Sequence, residues 1–329
     1  MLTMQRVETV GQLAGLAAGV AVSPLGAEEF SAHAPDGHWA VTGTDGTLAG
    51  RCSLWWRSAP HLPGEQPGII GHFAAADPGA AAALLNHGCR VLAQQGCTVA
   101  IGPMDGNTWR RYRYVTQRGS EPPFFLEPDN PPEYPAYFEQ AGFTPLARYF
   151  SNLDPDLGWK VPEALQQRLE RRGISIRPLD PGDFAGELER IHSISTASFS
   201  GNFLYTPISR DAFLAMYAKV RAAVQPELVL FAEYENKPVG FVFAIGDLLN
   251  AVPGNAPETV IIKSLAVLPA WNGKGIGPLL MSEATANARL LGYQRGIHAL
   301  MHEENRSRGL SGHHGTIMRE YTLYSRRLP

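Results

Sequence analysis

Residues 270–279 read AWNGKGIGPL, with Gly273, Gly275 and Gly277 alternating with other residues and Pro278 following at once. Glycines at this spacing let backbone amides approach an anion without intervening Cβ atoms. A helix starting behind them adds unpaired amides and the positive end of its dipole. The chemistry this supports is the holding of a phosphate. Two familiar phosphate turns miss the register. The P-loop, Gly, four residues, then Gly-Lys-Ser/Thr, fails because position 268 is Leu and position 275 is Gly. The dinucleotide pattern G-x-G-x-x-G fails because its third glycine would fall on Pro278 or Leu280. What remains is Asn272-x-x-Gly275-x-Gly277, directly after Leu265-Ala266-Val267-Leu268-Pro269.

This stretch resembles motif A of the GCN5-related N-acetyltransferases (the GNAT superfamily), Gln/Arg-x-x-Gly-x-Gly/Ala after a strand with L-x-V-x-P. Asn272 stands where Gln or Arg is usual. The resemblance extends over residues 173–329 in the order of elements. It implies that acetyl-CoA is the cosubstrate. Pro278 has no amide to offer, so Gly273, Lys274, Gly275, Ile276 and Gly277 are expected to hold the pyrophosphate, with Asn272 at its edge. The family's strand before the turn carries a bulge and parts from the next strand, and pantetheine lies in the gap. Leu265, Ala266 and Val267 would line it, with the Val267 amide as oxyanion donor.

Acyl transfer to an amine also needs a proton for the departing thiolate. The family often uses a Tyr on a helix after an N-x-x-A/S pattern. Here Asn305 matches the Asn that touches the CoA arm, Arg308 takes the Ala/Ser position beside Ser307, and no Tyr stands near 311–313. The substitutes are His313 near the right place, and Tyr321 or Tyr324 on the last strand. His298 is expected on the strand flanking pantetheine. Glu233 is a candidate base acting through water.

The elements that must position these residues are legible in outline. Apolar spacing predicts strands at 173–179, 259–268, 296–301 and 317–328, a hairpin around 235–237, and helices at 180–198, 209–224 and 278–291. The last helix carries Leu280, Ala284, Ala288 and Leu291 on one stripe. The first half repeats the order: a hairpin in 38–56, strands at 68–76 and 97–104, and a helix at 78–96. Corresponding features lie near 190–197 residues apart. Its AAADPGAAAA has one glycine where the second half has three. The tail EYPAYFEQAGFTPLARYF (133–150) resembles a GNAT ending. The expected fold class is therefore α/β, two tandem GNAT-like domains, each a mostly antiparallel sheet flanked by helices. Residues 1–153 form a degenerate domain without a pyrophosphate loop, 154–172 a linker helix, and 173–329 the acetyl-CoA-binding domain.

Composition bounds the function. A formal net charge of −3 over 329 residues argues against nucleic acid as a partner, although 106–119, GNTWRRYRYVTQRG, is locally basic and aromatic. No apolar run is long enough to span a membrane. Residues 13–22 could mimic a signal peptide, but one Arg precedes them and Glu8 intervenes, so they are read as part of the fold. Three cysteines, Cys52, Cys89 and Cys97, have no metal-type spacing, and a reducing cytoplasm and no metal are expected. The expected activity is acyl-CoA-dependent N-acyltransfer to a small-molecule or peptide amine by a monomer or homodimer. The alternative is a non-catalytic acyl-CoA-binding sensor or scaffold.

Overall fold

The computed structural model describes residues 2–251, 257–304 and 315–329. The first half runs β1 (Thr3–Val7), α1 (Val10–Ala14), α2 (Ala27–His33), β2 (Gly37–Thr42), β3 (Leu48–Trp55), β4 (Pro67–Ala75), α3 (Pro78–Gln94), β5 (Val99–Gly102), β6 (Tyr114–Gln117), α4 (Tyr134–Gln140) and β7 (Thr144–Asp154). The helix α5 (Glu163–Arg171) connects it to β8 (Ile174–Pro178), α6 (Phe184–Phe199), α7 (Arg210–Ala218), β9 (Val229–Tyr234), β10 (Lys237–Gly246), β11 (Thr259–Val267), α8 (Ile276–Leu290), β12 (Arg295–His302) and β13 (Thr316–Arg327). Residues 13–22 thus belong to the fold: Leu13 and Val22 are buried beside Val7 and Leu48.

The strands join one mixed sheet in the order β1-β2-β3-β4-β5-β13-β7-β12-β11-β10-β9-β8, with β6 also on β13. Each half supplies its own antiparallel meander and one parallel pair, β4 with β5 and β11 with β12. The final strands are exchanged. β13, from the end of the chain, pairs with β5 of the first half, while β7 pairs with β12 of the second. β13 and β7 then pair with each other from Thr316↔Leu153 to Ser325↔Thr144.

Helices cover both faces. α8 buries Ile276, Leu279, Leu280, Ala284 and Ala288 against Val242 and Val260. That is the predicted stripe without Leu291, which is the exposed C-cap. Each fully buried leucine contributes about 1.5–3 kcal/mol. The other face of the same strands packs under α6 and α7, where Ile191, Phe213, Phe231, Phe241 and Phe243 meet. In the first half, α3 and α4 bring Leu84, Leu85 and Phe138 onto the sheet.

The Pro-rich loop 123–132 crosses between the halves. Phe124 and Phe125 pack into the core under α6 and α7, and the Phe125 amide donates to Asp247 Oδ1 at 2.8 Å. Glu127 accepts from Arg319 Nε at 2.9 Å, with both side chains almost wholly buried. The basic stretch 106–119 is spent internally. Arg110 donates to the carbonyls of His33 and Ala32, Arg118 pairs with Asp129, and Arg113 lies 4.1 and 4.2 Å from the ring centroids of Tyr112 and Tyr149. Among the described residues, no helix is long and apolar enough to cross a membrane.

Candidate active site

The parallel pairing of β11 with β12 begins at Thr259↔Arg295 and stops at Ile262↔His298. Lys263 is the cause on one side. Phe243 pairs with Ser264 but Ala244 with Ile262, so Lys263 is an extra residue that bends β11. β12 turns the other way. Its Leu300 takes a φ of +60°, its register against β7 shifts between His298 and Met301, and the Leu300 amide donates to Ser151 Oγ at 3.1 Å. The strands therefore part, and Leu265–Val267 edge the gap. The Leu268 amide donates to the Val239 carbonyl at 2.8 Å on β10, whereas the Val267 carbonyl accepts from Ser198 Oγ at 3.0 Å. Peptide groups alternate along a strand, so the Val267 amide points away from β10, into the gap.

The glycine turn closes one end of this gap. Gly273 and Gly275 have φ of +74° and +95°, a region that strains side-chain-bearing residues. Gly275 caps α8 without a side-chain bond, and the amides of Gly273 to Gly277 have no protein partner among the described residues. Lys274 Nζ lies 4.4 Å above the Trp271 ring, and Asn272 is exposed. The turn is braced from behind by the segment leading into α5. Trp159 Nε1 donates to the Pro278 carbonyl at 3.1 Å, and a Cβ on Gly275 would lie 2.7 Å from Leu165. Leu265, Ala266 and Val267 are thus brought to the gap, and Asn272 to Gly277 to its end.

The proposed proton carriers are not assembled there. Asn305, Arg308 and His313 lie outside the described residues. Glu233 is held by Arg177 Nε at 2.8 Å, and Arg177 also reaches Glu187 at 3.0 Å, an ion-pair cluster on β8, β9 and α6. Tyr324 is 1% exposed, opposite Gly102 in register, with its hydroxyl donating to Glu139 at 3.1 Å. The strand exchange explains this: the end of β13 belongs to the first half's core. Tyr321, on the same strand, donates to Glu127 and lies 3.0 Å from Ser151 Oγ. His298 is buried, with Nε2 4.0 Å from Asp154 Oδ2.

Sequence reading passed over the polar groups that do stand at the parting. Lys263 Nζ donates to the Leu126 carbonyl at 3.3 Å, and burial, with Arg113 second, lowers its ammonium to about 8. Tyr217 of α7 reaches Ser264, and burial pushes its phenol up to about 12. The available signal was a Lys-Ser pair in the middle of a mostly apolar strand, TVIIKSLAV.

The first half parts its strands at the corresponding place, after Ile69↔Ile101. There the gap is filled by the chain itself. Met104 N donates to the Ile70 carbonyl at 2.9 Å, and His72 N donates to Asp105 Oδ1 at 2.5 Å. A Cβ on Gly71 would lie 1.9 Å from the Met104 carbonyl oxygen. The helix behind it is already capped by an anion: the Asp77 carboxylate accepts from Ala80 N at 2.8 Å, with Pro78 in the first turn.

Residues 188–314 match the model of the acetyltransferase (GNAT) family. The chain is 24% identical over 190 residues to Protein YghO of Escherichia coli (strain K12), covering 55% of this chain and 48% of that protein. It is 23% identical over 191 residues to the bacterial ceramide synthase of Caulobacter vibrioides (strain NA1000 / CB15N), covering 56% and 50%. The chain spans about half the length of the curated relatives it matches. A crystal structure from Enterococcus faecalis V583, described as a conserved protein of unknown function and probable N-acyltransferase, superposes with a TM-score of 0.58 at 12% identity. That superposition covers 100% of this chain and 72% of the other, and it bears on fold alone. The part of the chain that holds the open gap and its glycine turn thus matches the acetyltransferase (GNAT) family, and the fold of the two halves together is similar to that of solved GNAT structures.

Proposed function

We propose that the second half binds an acyl-CoA and transfers its acyl group, acetyl in the simplest case, to the amine of a small molecule or peptide, directly in a ternary complex. One observation carries this reading: the parted strands and the uncapped glycine turn meet in the second half, while the first half fills both places with its own atoms. The pyrophosphate would take the amides of Gly273 to Gly277, and pantetheine would lie along Leu265–Val267. The amine nitrogen attacks the thioester carbonyl, a C–N bond forms, and the oxyanion takes the Val267 amide. The nitrogen gives up a proton, the C–S bond breaks, and the departing thiolate takes a proton, so that an amide and a free thiol result. Lys263 and Tyr217, at the parting, are the side chains we assign to that supply, in place of Tyr324 and Glu233. The resemblance to a protein named a ceramide synthase supports amide-forming transfer, because a ceramide is an N-acyl amide.

Titration calorimetry with acetyl-CoA, then thiol release with an amine panel, tests both levels. The informative variant is Gly277→Asp. A Cβ there would meet Leu265 and Val267 at ordinary distances of 3.8 and 3.9 Å, so the turn keeps its shape while a carboxylate enters the anion site. Affinity should fall about 100-fold, or ~2.7 kcal/mol. Unchanged affinity defeats the site assignment. Binding without turnover on any amine would leave an acyl-CoA-binding sensor instead.

A further inference from the structure

The closed gap of the first half holds a cluster that the acyltransfer reading does not use. Glu29 and His33 stand four residues apart on α2, one turn of the same face. His72 lies on β4, just past the point where β4 and β5 part. His33 Nδ1 is 2.7 Å from His72 Nε2, and Glu29 Oε1 is 3.8 Å from the same nitrogen. Among the described residues, this is the one group of three such side chains whose ligand atoms all lie within 4.8 Å of one another.

His72 is fixed more tightly than packing requires. Its φ is +47°, unusual for a residue with a side chain. Its amide donates to Asp105 Oδ1 at 2.5 Å and its carbonyl accepts from Arg51 at 2.6 Å. On the ring, Nδ1 meets Ser53 Oγ at 2.9 Å, and Ser53 Oγ meets His38 Nδ1 at 2.7 Å. Ligating histidines are oriented in this way, by a hydrogen bond at the nitrogen that does not bind. Ser53 is fully buried between two imidazoles, which excludes a substrate from its hydroxyl and rules out a nucleophile.

We propose that Glu29, His33 and His72 bind a borderline divalent cation of the Zn2+ class, which pins α2 to β4 across the closed gap. Two imidazoles and one carboxylate suit that class. Tetrahedral bonds of about 2.0 Å set ligand atoms about 3.3 Å apart. The two imidazoles must therefore open slightly and Glu29 close slightly. With Nδ1–H of His72 donating to Ser53, Nε2 is free to bind. His33 now donates through Nδ1, and it binds by moving that proton to its Nε2, with no net proton release. The guanidiniums of Arg51 and Arg110 face the cluster, and the carboxylates of Glu29 and Asp105 balance them. The Glu29 side chain is 43% exposed, which leaves a path for the ion and a fourth position for water.

The test uses the full chain, stripped with a chelator and dialysed. Zn2+ is titrated against a chromophoric chelator, Co2+ is followed by its visible d–d bands, and melting is recorded with and without Zn2+. Wild type should take one ion per chain, give the intense bands of four-coordinate Co2+, and melt higher with Zn2+. His33→Ala and Glu29→Ala change half-exposed side chains and should fold. Each should lose affinity about 100-fold or more and show no Zn2+-dependent rise in melting. Ser53→Ala keeps all three ligands and should lose about 10-fold. Equal affinity in wild type and His33→Ala, or weak octahedral Co2+ bands in wild type, overturns the proposal and leaves a hydrogen-bonded histidine pair.

Discussion

The two halves fold the same order of elements through their parallel strand pairs and end with opposite gaps. In the second, one extra residue, Lys263, bends β11 from β12, and the glycine turn presents amides with no partner among the described residues. In the first, Gly71 has no side chain, and the Met104 carbonyl takes the vacated space. Asp77 supplies from within the anion that the other helix start lacks. The open gap is thus a place where the fold leaves its own polar groups unsatisfied among the described residues. Small changes, one glycine and one capping carboxylate, abolish it without disturbing the sheet.

The comparison can be broken most severely by separating the halves. Because β13 pairs with β5 and β7 with β12, neither 1–172 nor 173–329 keeps its own last strand beside it. Expressed alone, each should lack a cooperative melt by circular dichroism, and co-expressed halves should co-purify. Two independently stable halves would show the exchange to be dispensable. Next in size is Arg319→Met, which strands the buried Glu127 carboxylate that reaches from the first half to β13. Removing one partner of a buried pair costs about 3–5 kcal/mol, measurable by urea unfolding. A loss confined to the surface-pair range would sink the strap.

Gly71→Ala sharpens the contrast between the gaps. The new methyl must displace the Met104 carbonyl, at about 1–3 kcal/mol, whereas Ser264→Ala, on the open gap of the second half, should cost less than half of that in the same titration. The last effect is a pH slope. Lys263 titrates near 8 in the fold against 10.5 when free, so charging it opposes folding. Its contribution to stability is greatest above pH 10.5, declines as pH falls toward 8, and is flat below. Lys263→Met should remove that decline from a series of urea titrations across the window.

Much of this was legible residue by residue. The strand TVIIKSLAV, the glycine turn and the helix behind it stand where pattern and spacing put them. Pro and Gly punctuation and apolar periodicity are local, and local signals survive without a structure. Tyr324 was not legible in the same way. Its alternating strand gives no hint of which half it enters, and the side chain went to the first half's core. The Pro-rich stretch around Phe124 offered no chemistry in sequence, yet it delivers Glu127 to Arg319. The triad of Glu29, His33 and His72 likewise has no motif, because β4 brings the third member from 39 residues beyond the second.

The sequence alone determined the order of the main elements, the likeness of the halves, and which half keeps a glycine turn between strand and helix. These depend on neighbours in the chain, on where glycines sit, and on which helix start has an acidic cap. Only the tertiary structure decided the exchange of β7 and β13, the filling of one gap by Pro103–Asp105, and the company of every buried charge. Those outcomes depend on long-range pairing, in which any strand of suitable alternation competes for an edge and packing selects among them.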